Sequence, residues 1–467
     1  MTEELEDITK QQSMHEQFEQ LITSDNKLEI RNFLNDQNIS DVAELVYDYP
    51  EYEIQIFVSL NINRAASVFK ILDFAEQKRI INSLPPFKTA ELLNELPGDD
   101  RTDFFEELPS SAVRELIKLL NPEELKTTLS LLGYPENSVG RLMTTDYVYI
   151  YADDTVAQAI ETIRRYGKDS ETVDVIYVID DKGDLLDDLR IRDIILASPD
   201  KKISELMDDR VIVLHVHDDQ ESASDAFKMN NRVALPVVSK SNKLLGIVTI
   251  DDILWVAEEE FTEDIQMIGG TQALDAPYLD TPIMQLFRKR ISWLVVLFLG
   301  EMITASVMQH YEGALEKFVV LALFIPLIIS SGGNSGSQAS TLIIQAIATG
   351  DVSLSDWWKI MKREILSGLM LGSVLGAVGF TRVVLWNSVQ PGVYGEHYIL
   401  VGWTIAITLL GIVLWGTLSG SMLPLILKRL GADPAVSSAP FVATLVDVTG
   451  LLIYFTVATT ILSSVMG

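Results

Sequence analysis

The stretch Asp433–Phe455, DPAVSSAPFVATLVDVTGLLIYF, decides the fold. It is apolar over most of its length, lacks Lys and Arg, and from Val436 onward holds a single charge, Asp447. A bilayer crossing takes about 20 apolar residues, so Val436–Val465 is expected to span a membrane. A lone carboxylate there either protonates or meets a cation. Hard divalent cations take oxygen ligands, and magnesium tends to keep its waters. An Asp flanked by carbonyls and hydroxyls suits a hydrated ion. Asp433 reads either as an entry ligand or as an N-cap before Pro434.

Four more segments are long enough to cross: roughly 291–308, 318–348, 365–386 and 399–427. Eight basic residues (Arg288, Lys289, Arg290, Lys359, Lys362, Arg363, Lys428 and Arg429) fall in the loops on one side, against Lys317 on the other. The positive-inside rule then gives five spans with the N-terminus inside and the C-terminus outside. Arg382 makes the end of the third span its weakest boundary. The start MTEELEDITK does not read as a signal peptide. The second span contains Pro326 and SSGGNSGSQAST (Ser330–Thr341), a poor lipid-facing sequence. Such a run reads as irregular backbone along protein or water, or as close helix packing through small residues. Gly411, Gly416, Gly420 and Pro424 in the fourth span suggest a bend or close packing. Glu301 in the first span is a further buried-charge candidate.

The chain has 467 residues, no cysteine and a net charge of −30. Residues 281–467 hold ten basic and nine acidic groups, so residues 1–280 carry −31. That sign argues against a nucleic-acid partner. The missing cysteines exclude disulfides, thiolate catalysis and cysteine-based metal sites.

Two repeats organise the acidic part. Leu84-Pro85, Leu96-Pro97 and Leu108-Pro109 recur every 12 residues, with Leu120 next. Each unit is expected to be a short helix that ends near the Pro, and such units stack into a small solenoid. Asp99 and Asp103 lie four apart on one of these helices; they read as a repelling pair that a cation relieves, or as a solvated face. Further on, RLMTTDYVYIYADDTVAQAI matches ELMDDRVIVLHVHDDQESAS, and VIYVIDDKGDLLDDLRIRDI matches ALPVVSKSNKLLGIVTIDDI 59 residues later. Each copy reads strand, helix, β-rich run, helix. After the second copy, Asp251, Asp252, Glu258, Glu259, Glu260, Glu263 and Asp264 crowd one helical stretch without basic partners at i±4.

The duplicated region resembles a tandem CBS-domain pair. In that family Gly246-Ile-Val-Thr249-Ile-Asp251-Asp252 is similar to the pattern that holds an adenine nucleotide, which implies Thr249 and Asp252 as nucleotide ligands. The first copy, with Asp187, Asp188 and Arg190, departs from that pattern. The order of solenoid, CBS pair, acidic helix and five spans resembles the MgtE family of magnesium channels and transporters. The most specific pieces are Pro326–Asp351 and Asp433–Phe455.

The resemblance implies a multi-domain membrane protein. Its expected parts are a disordered N-terminus over 1–13, an α-helical superhelical domain over 14–135, an α/β tandem CBS pair over 136–257, an amphipathic acidic linker helix over 258–285 and an all-α five-helix transmembrane domain over 286–467. It also implies a homodimer in a bacterial inner membrane with a pore between two membrane domains. Asp447 would select the ion, with Asn334, Gly332 and Gly333 lining the path and Asp433 near its inner mouth. Asp99, Asp103, Asp252, Glu260, Glu263 and Asp264 match acidic positions that bind Mg2+ and close the pore when magnesium is plentiful. Ser67, Asn231 and Trp255 stand where better-studied members have carboxylates, so some of these sites are weaker or missing. Several ions at roughly 1–2 kcal/mol each suffice for a population swing of about 5 kcal/mol.

Other classes fit less well. An anion channel wants basic or helix N-terminal sites. Carriage of another divalent cation, such as cobalt or manganese, and a membrane-anchored sensor remain as alternatives. An enzyme would need a nucleophile and base; of the five His, only His215 and His217 are near each other, and a lone His-x-His is a weak signal. No Walker motif is present.

Overall fold

The chain was described as a computed structural model covering residues 14–466 except 25, 209, 275–277, 280 and 318. The expected disorder over 1–13 lies outside the described residues. Two compact units divide between Ala257 and Glu258.

The first unit opens with short helices: α1 (residues 14–24), α2 (Lys27–Asp36), α3 (Ile39–Asp48), α4 (Glu53–Ser59), α5 (Ile62–Lys70), α6 (Phe74–Ser83), α7 (Pro86–Glu95), α8 (Gly98–Glu106), α9 (Ser110–Leu116) and α10 (Pro122–Leu131). The 12-residue Leu-Pro period sets their rhythm. Leu84, Leu96 and Leu108 are each buried beside a helix end, and the following Pro opens the next helix. Proline suits that place because its missing N–H costs nothing in the first turn. Arg101 of α8 is fully buried. It donates to Thr128 Oγ1 at 2.7 Å, to the carbonyls of Leu93 and Leu96, and to the Glu124 carboxylate.

After α11 (Val139–Leu142) come two similar three-stranded sheets. In the first, β1 (Tyr149–Tyr151) pairs parallel with β2 (Val175–Ile179), and β2 pairs antiparallel with β3 (Leu185–Arg190). Helices α12 (Val156–Tyr166) and α13 (Ile191–Leu196) accompany it. In the second, β4 (Leu214–His215), β5 (Ala234–Val238) and β6 (Leu244–Thr249) repeat the pattern with α14 (Gln220–Asn230) and α15 (Ile250–Ile268). The copies are interlocked. Thr144, near the start of the first copy, pairs with Ile247 in the second. A Cβ on Gly246 would stand 2.5 Å from the Thr144 carbonyl, so this glycine makes room for the crossing segment.

The acidic stretch lies on a single helix. Helix α15 starts at Ile250, inside the expected CBS boundary, and runs unbroken to Ile268. The next helix, α16 (Ile283–His310), starts three residues ahead of the expected domain boundary.

The second unit continues with α17 (Glu312–Lys317), α18 (Ile325–Ala348), α19 (Trp357–Val389), α20 (Tyr398–Arg429) and α21 (Ala439–Met466). Five stretches are long and apolar enough to cross a membrane: Ile283–His310, Val319–Ala348, Leu354–Val389, Tyr398–Arg429 and Ala439–Ser463. Of the two readings of the glycine-rich run, the structure follows close helix packing. The glycine-rich run of the second span is not irregular backbone: α18 is continuous through it. In a bilayer each backbone group must be satisfied within the chain, which favours the helix over the break that glycine would make in water. Arg382 falls within the expected third span, 365–386. It lies inside α19, over the Trp386 ring at 4.2 Å, and donates to the Tyr394 hydroxyl at 3.1 Å.

Small residues hold this bundle together. Gly416 and Gly420 of α20 face the carbonyls of Gly332 and Gly336 in α18 so closely that a Cβ on either would collide with them. Ser337 and Ser340 of α18 donate to the carbonyls of Ala439 and Ser437, fixing the start of α21.

Candidate cation sites

The first unit gathers acid from three distant segments. Helix α8 places Asp99 and Asp100 in its first turn, where free N–H groups favour negative charge. The loop before β2 brings Glu171, and the start of α15 brings Asp251 and Asp252. Lys70, at the end of α5, stands among them, with Nζ 3.5 Å from Asp100, 3.8 Å from Glu171 and 3.8 Å from Asp251. Burial works against the Lys70 ammonium, but these carboxylates outweigh it and raise its pKa. Asp99 is buried and its Oδ1 has no hydrogen-bond partner. Burial, then the charges of Asp100, Asp252 and Glu171, hold its carboxyl well above the usual range. Burial pushes Asp252 up to about 7; Asp251 and Asp100 add to this, while the hydrogen bond from Thr249 opposes it. Asp100 and Glu171 are raised by burial too, against the pull of Lys70.

Lys70 lies within 4 Å of three of these five carboxylates, and Asp99 Oδ1 is buried without a hydrogen-bond partner. No three carboxylates of this cluster bring their ligand atoms within 4.8 Å of one another among the described residues.

The remaining expected sensing residues are placed as follows. Asp103, one turn beyond Asp99, is exposed, so the expected pair divides: Asp99 turns to Asp100, Glu171 and Asp252 instead. Glu260, Glu263 and Asp264 are half-buried on the later part of α15. Burial, then Asp433 and Glu259, raise the Glu263 pKa, with Lys289 opposing. Thr249 Oγ1 donates to Asp252 Oδ2 at 2.6 Å, so the two expected nucleotide ligands are in contact. In the first copy, Asp187 accepts from the Asp208 N–H at 2.8 Å and Asp188 pairs with Arg232 at 2.7 Å. Those positions are already committed to protein contacts. Of the three departures, Ser67 bonds back to the Asn63 carbonyl, Asn231 caps α14 at a φ of 50° and Trp255 is exposed. The left-handed backbone at 231 favours Asn over most side chains.

In the second unit, Asp447 is half-buried on α21. The bare Gly333 lies beside it: a Cβ there would stand 3.6 Å from Asp447 Oδ1. Gly332 faces elsewhere, against Ile412 and Val446. Asn334 is exposed and donates to Ser330 Oγ at 3.3 Å. Helix α16 meets α21 where Gly300 faces Thr444, and the adjoining Glu301 acts electrostatically on Asp447. Asp433 accepts from the Ala435 N–H at 2.7 Å, which is the capping role.

Sequence reasoning did not single out Lys70, Asp100 or Glu171. The GDD start of α8 carried a weak hint of Asp100. Nothing local marks Lys70 or Glu171, which reach the site only through tertiary packing.

A helical repeat, a CBS pair and five apolar helices, one of them carrying the carboxylate of Asp447, define a membrane transporter with regulatory domains. The family description "Divalent cation transporter" matches residues 325–457, "MgtE intracellular N domain" matches 37–137, and the CBS domain matches 139–200 and 203–259. The chain belongs to the MgtE magnesium transporter family. It is 39% identical over 352 residues to the magnesium transporter MgtE of Thermus thermophilus, covering 75% of this chain and 76% of that one. The magnesium transporter MgtE of Enterococcus faecalis is 33% identical over 336 residues, 72% of each chain. A crystal structure of the soluble part of a magnesium transporter matches with a TM-score of 0.51 at 26% identity, covering 54% of this chain and 99% of that one. The family is one of transporters rather than enzymes.

Proposed function

We propose that this chain carries Mg2+ into the cytoplasm of a bacterium, as a homodimer in the inner membrane with a pore between the two membrane domains. The observation that carries the reading is Asp447, a single carboxylate in an apolar helix without Lys or Arg, packed beside the bare backbone of Gly333. A carboxylate so placed attracts a divalent cation, and small neighbours leave room for its waters. Asn334 and Gly333 line the path, Gly332 sets the packing behind it, and Asp433 stands near the inner mouth. The distribution of Lys and Arg between the loops supports an inside N-terminus and an outside C-terminus.

The regulation is a charge switch. With little Mg2+, the carboxylates around Asp99 and Asp252, and those of Glu260, Glu263 and Asp264, repel. With Mg2+ bound between them, the cytoplasmic parts tighten and close the pore. The orphaned Asp99 oxygen supports this reading. An adenine nucleotide in the second CBS cleft would take Thr249 and Asp252, and so compete with Mg2+ for the Asp252 carboxylate. Asp447→Ala is the direct test of transport. In cells stripped of their own magnesium transporters it is expected to abolish growth rescue at low Mg2+, with normal membrane abundance; full rescue would reject the role.

A further inference from the structure

The geometry points to a second kind of cation site in the first unit, formed by His15, Glu44 and Asp48, that takes a transition-metal ion of the Zn2+ or Co2+ kind rather than Mg2+. Among the described residues, these three form the one group of His, Asp and Glu side chains whose ligand atoms all lie within 4.8 Å of one another. Glu44 and Asp48 are four apart on α3 and so share a face. His15 comes from α1, with Nε2 3.6 Å from Asp48 Oδ2.

A neighbouring relay orients the ring. The Tyr49 hydroxyl donates to Glu19 Oε1 at 3.0 Å, which commits its proton. Its oxygen is therefore the acceptor toward His15 Nδ1, 3.4 Å away. The network assigns the proton to Nδ1 and turns the Nε2 lone pair toward the two carboxylates. An imidazole held through its second nitrogen by a hydroxyl and a carboxylate behind it is the arrangement found behind metal-bound histidines. A lone pair facing two carboxylates is unfavourable by itself; a metal ion, or a second proton making a plain ion pair with Asp48, relieves it.

Ligand atoms about 2.0–2.2 Å from one zinc ion stand roughly 3–4 Å apart. Small side-chain rotations close the present spacing to that value, and the half-buried to exposed setting leaves a place for water. The imidazole nitrogen selects the metal: it suits zinc and its transition-metal neighbours, whereas Mg2+ demands oxygen and dehydrates reluctantly. The ion would fasten α1 to α3. This inference does not rest on the Mg2+ reading above.

The test uses the full-length chain in detergent, stripped of metal and then held in excess Mg2+ to fill the oxygen sites. Co2+ is titrated in, followed by visible absorption and equilibrium dialysis. The expected result is about one Co2+ per chain that Mg2+ does not displace and Zn2+ does. His15→Gln and Asp48→Asn are expected to lose it, with unchanged metal-free unfolding temperatures. Tyr49→Phe keeps the ring but breaks the relay, and is expected to weaken Co2+ about 10-fold or more; it serves if His15→Gln folds poorly. Equal Co2+ binding by the wild type and these variants, or none by the wild type, overturns the proposal and leaves the plain ion pair.

Discussion

At the scale of single residues, Lys70 is the most informative side chain that sequence reading passed over. Its ammonium acts as a tethered cation in a cluster that otherwise calls for free ones. Lys70→Met should therefore make the cluster depend more on Mg2+. Because the pairs are partly exposed, the loss without Mg2+ is expected to be about 0.5–1 kcal/mol. Amide exchange of α8 in the full-length chain should speed up without Mg2+ and recover with it; equal exchange in both proteins would contradict the role. A pH dependence follows from the same group. Asp99, Asp100, Glu171 and Asp252 have folded pKa values above the usual carboxylate range. The folded cluster thus holds more protons than the unfolded chain between about pH 4, where ordinary carboxylates titrate, and about 7, where Asp252 does. Stability must fall as pH rises through that window. In Mg2+-free buffer, α8 protection corrected for intrinsic rates is expected to be greater at the acid end. Saturating Mg2+ should flatten the slope by replacing the protons. Protection that rises with pH without Mg2+ would be the wrong sign.

At the scale of elements, the sequence was most legible where local chemistry and tertiary packing agree. The Leu-Pro period announced α7, α8 and α9 because Pro sets a helix start and the Leu before it is buried. The CBS copies were legible through their repeat. The glycine run of α18 was legible only as a choice between a break and close packing, because glycine's meaning depends on the solvent. In water it breaks a helix; here the helix holds and the missing side chains admit α20. The surroundings of Asp99 were not legible for another reason: its neighbours Glu171 and Asp252 are over 70 residues away in sequence, and no pattern on α8 shows them. The glycine contact gives a test. In Gly420→Ala the new methyl meets the Gly336 carbonyl, and overpacking of this kind costs about 1–3 kcal/mol. The variant is expected to unfold at a lower temperature in detergent. Gly313→Ala, where nothing lies within 4 Å, should not. Equal melting of the two variants would show that the α18–α20 contact is looser than described.

At the scale of the whole molecule, charge is divided by place: −31 over residues 1–280 against a nearly neutral remainder. Not all of that acid is ligand. Asp187, Asp188 and Glu124 serve the fold through hydrogen bonds and ion pairs. The part left without sufficient positive partners surrounds Asp99, and that part makes the acidic region a sensor in this account. The central claim is that Mg2+ both passes through the protein and shuts it. The most direct measurement is Mg2+ flux through full-length protein in liposomes, with Mg2+ varied on the side bearing the acidic domains. Flux is expected to fall as that Mg2+ rises into the millimolar range, and Asp99→Ala with Asp252→Ala is expected to blunt the fall without abolishing flux. Flux independent of Mg2+ on that side would contradict it.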